Sequence, residues 1–117
     1  KQMCPKPMAS AAWRWSDVAA HQDEITLLSR IWEDGAWQDY QRGTLAAIRP
    51  LEALRSGIFP DAAPEGSVLS CGTLGAIPNQ RGEAIRPATQ MEIELHDARL
   101  GRRIVHRYVV NPLPVVA

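Results

Sequence analysis

What the chain lacks narrows its class before any motif is read. Cysteine is nearly missing: Cys4 and Cys71 are the only two, far apart in sequence. That is no disulfide framework; two reduced thiols in a cytoplasmic protein are expected, although sequence alone leaves a single bridge open. An excess of one charge is missing as well. Thirteen Lys and Arg balance thirteen Asp and Glu, so no global field draws in nucleic acid or an anionic membrane. No apolar run approaches the roughly 20 residues needed to span a bilayer. No signal peptide is visible, and the chain opens on Lys1-Gln2 rather than methionine, which reads as a mature fragment or one piece of a longer protein. Internal repeats and low-complexity tracts are absent. Aromatics are few apart from four tryptophans, Trp13, Trp15, Trp32 and Trp37; so many indoles in a small chain are expected to fill the core or a subunit interface.

What is present suits one globular domain spanning residues 1–117, with 45 % apolar and 22 % charged residues. Lys1–Ala12 holds Pro5 and Pro7 and reads as extended or looped, and Ser16-Asp17 offers a cap to a short helix through Ala20. Ile25–Trp32 is a strand, Glu33-Asp34-Gly35 carries the favoured hairpin pair, and Ala36–Arg42 is the return strand, anchored by Trp37 and Tyr40. Pro50–Gly57 reads as a short helix: Pro50 suits its first turn, Leu51, Leu54 and Ile58 share a face, and Gly57 ends it. Met91–Asp97 alternates, with Met91, Ile93 and Leu95 on one face and Glu92, Glu94 and His96 on the other. Ile104–Val110 is its hairpin partner, in a register the sequence does not fix because that strand is apolar on both faces. Asn79–Thr89, polar and punctuated by Gly82 and Pro87, reads as a mobile loop.

The most informative stretch is Pro64 to Pro78. Pro64-Glu65-Gly66 is a turn, and Val68-Leu69-Ser70 is an apolar run of the length expected for a buried strand. Cys71-Gly72-Thr73-Leu74-Gly75 then removes bulk twice around one threonine. Two readings compete. The glycines simply make turns, or they let backbone amides approach a bound carboxylate or enol oxygen while the Thr73 hydroxyl adds a further donor or acceptor.

This segment resembles the P-G-D-V-I-x-T-G-T-P-x-G-V signature of the fumarylacetoacetate hydrolase superfamily. The chain is also similar to a bacterial branch of that superfamily in its Lys-Gln-x-Cys-Pro-Lys start and Leu-Pro-Val-Val end. The resemblance covers essentially the whole chain but only the C-terminal half of a typical member. It implies a mostly β (α+β) fold, a mixed β-sandwich or β-roll with one short helix, commonly homodimeric. It also implies a hydrolase or lyase acting on a short oxo-acid by C–C bond hydrolysis, decarboxylation or keto–enol chemistry. Such members hold Mg²⁺ or another divalent cation through a Glu-x-Glu motif and an aspartate, where the hard cation chelates the oxo-acid and stabilises its enolate.

By this resemblance Gly72 and Thr73 are the substrate-binding residues, and Lys1, ahead of Cys4-Pro5, stands where the family keeps a lysine beside the substrate anion. Its spacing is shorter than in better-known branches, and a solvated terminal lysine is the competing reading. Glu92-x-Glu94 is not the metal motif, since it matches a late strand whose exposed glutamates are ordinarily solvated. The metal carboxylates are expected before Lys1, so no residue of this stretch is assigned to metal. That makes the missing N-terminal half an expected partner beside a small oxo-acid and a second subunit. A non-catalytic β-domain serving binding or assembly is the alternative function.

Three smaller expectations complete the reading. Cys71 is a buried structural thiol. His96 and His106 face each other across the last hairpin with Asp97 near, a set zinc would accept, although surface histidines without metal are the commoner outcome. Arg102, Arg103 and Arg107 pair across strands with Glu92 and Glu94.

Overall fold

The computed structural model describes residues 5–111 and 113–114; Lys1 and Cys4 therefore lie outside the described residues. Four strands form the frame: β1 (Thr26–Glu33), β2 (Ala36–Thr44), β3 (Gln90–Asp97) and β4 (Arg102–Val109). They make one sheet in the order β2-β1-β3-β4, with every pairing antiparallel. Helix α1 (Trp15–Val18) is a single turn and α2 (Leu51–Ile58) runs two turns. Short 3₁₀ turns follow at Gln22–Glu24 and Leu45–Ala47. The molecule is mostly β with little helix, as its alternation predicts.

Local chemistry explains both hairpins. Asp34 and Gly35 both take positive φ, 51° and 78°, the pair of left-handed conformations that a two-residue turn needs to match strand twist. The β3–β4 hairpin settles the open register: Glu92 stands opposite Arg107 and Glu94 opposite Val105, which leaves Arg103, opposite His96, diagonal to Glu94. On one face of the sheet these carboxylates meet guanidinium groups, Arg107–Glu92 at 2.6 Å, Arg103–Glu94 at 3.0 Å and Arg30–Glu92 at 3.3 Å. The glutamates are thus covered by arginines rather than free in solvent. The other face carries Met91, Ile93 and Leu95 and turns toward the N-terminal segment.

Pairing of β1 with β3, across sixty to seventy positions from Ile31 opposite Met91 to Thr26 opposite His96, is what local patterning cannot supply. The core it builds is small: Val18, Ile25, Leu28 and Ile31. No tryptophan is among these fully buried side chains. Trp32 and Trp37 instead meet edge to face at 5.6 Å on the hairpin, and Trp15 is 45 % exposed. The indoles therefore do not fill this core.

Three local expectations are corrected. Val68–Ser70 is not a strand, and Val68 is 76 % exposed; an apolar run becomes a strand only by pairing, and this one pairs with no strand among the described residues. Helix α1 starts two residues earlier than Ser16 would set it, with Arg14 at the N-cap and no side-chain cap bond. In α2, Gly57 lies inside the helix and Phe59 occupies the C-cap, its amide donating to the Arg55 carbonyl.

Candidate functional site: the loop over strand β2

Strand β2 carries a strip that holds the 72–77 loop. A bulge interrupts its pairing with β1: Ser29 stands opposite Gln41 and Arg30 opposite Asp39, leaving Tyr40 without a partner. A bulged residue loses its ladder bond, and here the Tyr40 carbonyl accepts the Ile77 amide at 2.7 Å. Next along the strand, Gln41 is buried and fully engaged. Its Oε1 accepts from Ser29 Oγ at 2.8 Å, and its Nε2 donates to Thr73 Oγ1 and to the Leu74 carbonyl, each at 2.7 Å. Gly43 completes the strip. A Cβ at that position would lie 3.0 Å from Leu74 Cδ1, so the missing side chain is what seats Leu74 on the strand.

This frame decides what the loop can offer. Gly72 holds φ +93°, a conformation costly for any residue with a Cβ. Because Thr73 Oγ1 already accepts from Gln41, its own proton is left to donate elsewhere. Among the described residues, the amides of Gly72 to Ala76 have no protein acceptor. The loop therefore presents an oriented hydroxyl and unengaged amides, the equipment expected of an anion or carbonyl binder.

Thr73 and Gln41 stand on the wall of a cavity of about 550 Å³ over the apolar sheet face. Leu27, Ile93, Leu95 and Ile104 form its floor, and Trp13 and Trp15 lie across it. A largely apolar cleft with few convergent polar groups has the make-up of a small-molecule site. Of the two residues singled out from sequence, Thr73 stands on the wall of this cleft, with Gly72 next to it in the chain. Gln41, Ser29 and Gly43 were missed. Gly43 was the available signal, since a lone glycine in a strand marks a bulge or a close approach of another segment.

The histidines do not form a set. Register places His96 opposite Arg103 and His106 opposite Ile93, so the two imidazoles project from opposite faces of the sheet. Asp97 is engaged elsewhere. Only 1 % exposed, it takes His21 Nε2 at 3.0 Å and the Leu100 amide at 3.2 Å on Oδ1, and Arg102 Nε at 3.2 Å on Oδ2. Burial pushes this carboxyl upward, but the bonds from His21, Leu100 and Arg102 and the charge of His21 outweigh it, holding it below the usual aspartate value. His21, without a local partner in sequence, thus finds one 76 positions away.

Among the described residues, no three His, Cys, Asp or Glu side chains are grouped to hold a metal ion. With Glu92 and Glu94 engaged by arginines, these residues do not fit the divalent cation that the resemblance implies. Cys71 is half-buried, its thiol 3.5 Å from the Leu69 carbonyl. No helix among the described residues is long and apolar enough to cross a membrane. A family model described as a protein of unknown function, DUF2848, matches residues 1–108. No curated protein and no solved structure matches the chain.

Proposed function

The chain belongs to the DUF2848 family, and for this member we propose that the cleft between the 72–77 loop and the sheet binds a small oxo-acid. Thr73 Oγ and the amides around Gly72 donate to its carboxylate or keto oxygen, while the apolar face takes its carbon chain. On this reading the chain is the substrate-holding part of a hydrolase or lyase of the fumarylacetoacetate hydrolase kind. The observation that carries it is the Thr73 hydroxyl, fixed by Gln41 at 2.7 Å on the wall of the cleft. A threonine needed only for a turn has no reason to be gripped by a buried, fully bonded glutamine. Carboxylates for a cation, and a role for Lys1, would come from outside the described residues.

A second reading, a non-catalytic domain for binding or assembly, is favoured by the arginine-engaged state of Glu92 and Glu94. Calorimetry of the purified protein with 2-oxooctanoate, followed by product analysis, separates the two. Binding with turnover supports the enzyme, and binding without turnover supports the second reading. Thr73→Val is expected to weaken binding about tenfold, the loss of one hydrogen bond to a charged group, with little change in Tm. Unchanged affinity would remove Thr73 from the site.

A further inference from the structure

One rung of the sheet crosses the apolar face from edge to edge. Gln41 on β2 stands opposite Ser29 on β1, Ser29 opposite Ile93 on β3, and Ile93 opposite His106 on β4. Residues directly opposite one another in antiparallel strands project to the same side, so all four side chains lie on the cleft side of the sheet, and Gln41, Ile93 and His106 reach its wall. The rung is polar at both ends and apolar toward β4 until its last residue. At one end Gln41 holds Thr73; at the other, His106 lines the same cavity as Thr73. Three strand spacings put about 14 Å between the two ends at the backbone.

His106 differs from His21 in the way that matters for a ligand. The His21 ring is bonded to Asp97. Neither ring nitrogen of His106 is hydrogen-bonded to a described residue, while its flank rests on Tyr108 with ring centroids 5.8 Å apart. Tyr108 itself is directed away, its hydroxyl meeting Met91 Sδ at 3.0 Å. An imidazole set into an apolar wall with free nitrogens offers a donor or a cation to whatever fills the cleft. A short monofunctional acid held at Thr73 would leave that end of the rung unused.

We propose that the ligand is an elongated oxo-acid with two oxygen-bearing ends, one held by Thr73 and the Gly72 loop and the other by His106, with an apolar spacer over Ile93 and Ile104. This rests on the oxo-acid reading and adds its length and second functional group. His106 is then a specificity-determining residue: it selects the distal carboxylate or carbonyl and does not touch the proximal one.

The test compares 2-oxooctanedioate with 2-oxooctanoate, two acids of one length that differ only in the distal carboxylate, by calorimetry on the purified protein. The diacid is expected to bind about tenfold more tightly. His106→Leu should erase that preference and leave the monoacid unaffected, His106→Gln should retain part of it, and Thr73→Val should weaken both. Circular dichroism on each variant checks that the sheet is intact. Equal affinities in the unaltered protein, or a His106→Leu loss shared by both acids, would overturn the role of His106 while the oxo-acid reading stands. If neither acid binds, both readings fall.

Discussion

Two consecutive stretches of the connection between α2 and β3 bond to the β1–β2 hairpin and use their polar groups in opposite ways. The 72–77 loop is held by Tyr40, Gln41 and the space above Gly43, and its amides from Gly72 to Ala76 have no acceptor among the described residues. The 79–89 loop turns its donors and acceptors inward. Asn79 Oδ1 accepts from the amides of Arg81 and Glu83, and Arg86 donates to both Glu33 oxygens and to the carbonyls of Ile77, Glu83 and Ala84. That guanidinium is 6 % exposed and lies over the Tyr40 ring at 5.3 Å. Polarity in sequence therefore does not separate a ligand loop from a structural clasp. What separates them is whether the polar atoms already have partners.

The largest effect should come from breaking the clasp. Arg86→Ala strips the nearest cation from Glu33, which is 13 % exposed and keeps only Asn79 Nδ2 at 3.2 Å and the more distant Arg81 at 3.8 Å, and it leaves the Ile77 and Ala84 carbonyls without this donor while Glu83 keeps the Asn79 amide. Removing one member of a covered ion pair costs about 3 kcal/mol. Denaturant titration should record that loss, together with release of the loop from β2. A change under about 1 kcal/mol, the range of an exposed pair, would mean that the clasp is ornamental.

Next in size is Gly72→Ala. A Cβ there meets only Ile48 Cγ2, at an ordinary 3.7 Å, so the cost is conformational and amounts to about 1–2 kcal/mol from the positive φ alone. The expected signature is a loss of oxo-acid affinity beyond that of Thr73→Val, because the loop backbone itself re-turns. If alanine is tolerated with affinity intact, the loop amides have no part in binding.

How much of this was legible depends on how far apart the partners lie. The two hairpins and α2 were readable because Asp34-Gly35, the alternation of Met91–Asp97 and the spacing of Leu51, Leu54 and Ile58 are local signals. Gly72 and Thr73 were readable through a motif. Asn79–Thr89 looked mobile because its fixing partner, Glu33, sits 53 positions before Arg86. Val68–Ser70 looked like a strand because apolarity was visible and its failure to pair with any of the four strands was not. Gln41 was invisible for the same reason: nothing local marks a glutamine that will be bonded to Ser29 and to a loop 32 positions on.

Acid should also distinguish the loops. The Glu83 carboxyl lies below its ordinary value because the Asn79 amide and then Arg81 bond to its charged form. A carboxyl with a lowered folded value stabilises above the unfolded value, about 4.3, and that contribution is lost as pH falls through the folded one. Hydrogen exchange at the Gly82 and Glu83 amides should therefore accelerate below about pH 4, relative to the intrinsic rate. Exchange at Ile77, bonded to the Tyr40 carbonyl with no carboxylate involved, should not follow. Parallel acceleration at both would show that the loops open together.

The smallest effect tests whether burial, rather than pairing, makes the clasp strong. Arg103 and Glu94 form the same kind of ion pair as Arg86 and Glu33, at 3.0 Å against 2.9 Å. Arg103, however, is 59 % exposed where Arg86 is 6 %. Solvent screens an exposed pair and the arginine loses rotamer freedom to make it, so Arg103→Ala should cost no more than about 0.5 kcal/mol. A double-mutant cycle with Glu94→Ala should give a coupling that fades in high salt, whereas the Arg86–Glu33 coupling should persist. Equal couplings at the two pairs would mean that geometry alone sets their strength, and the contrast between the loops would then need a cause other than desolvation.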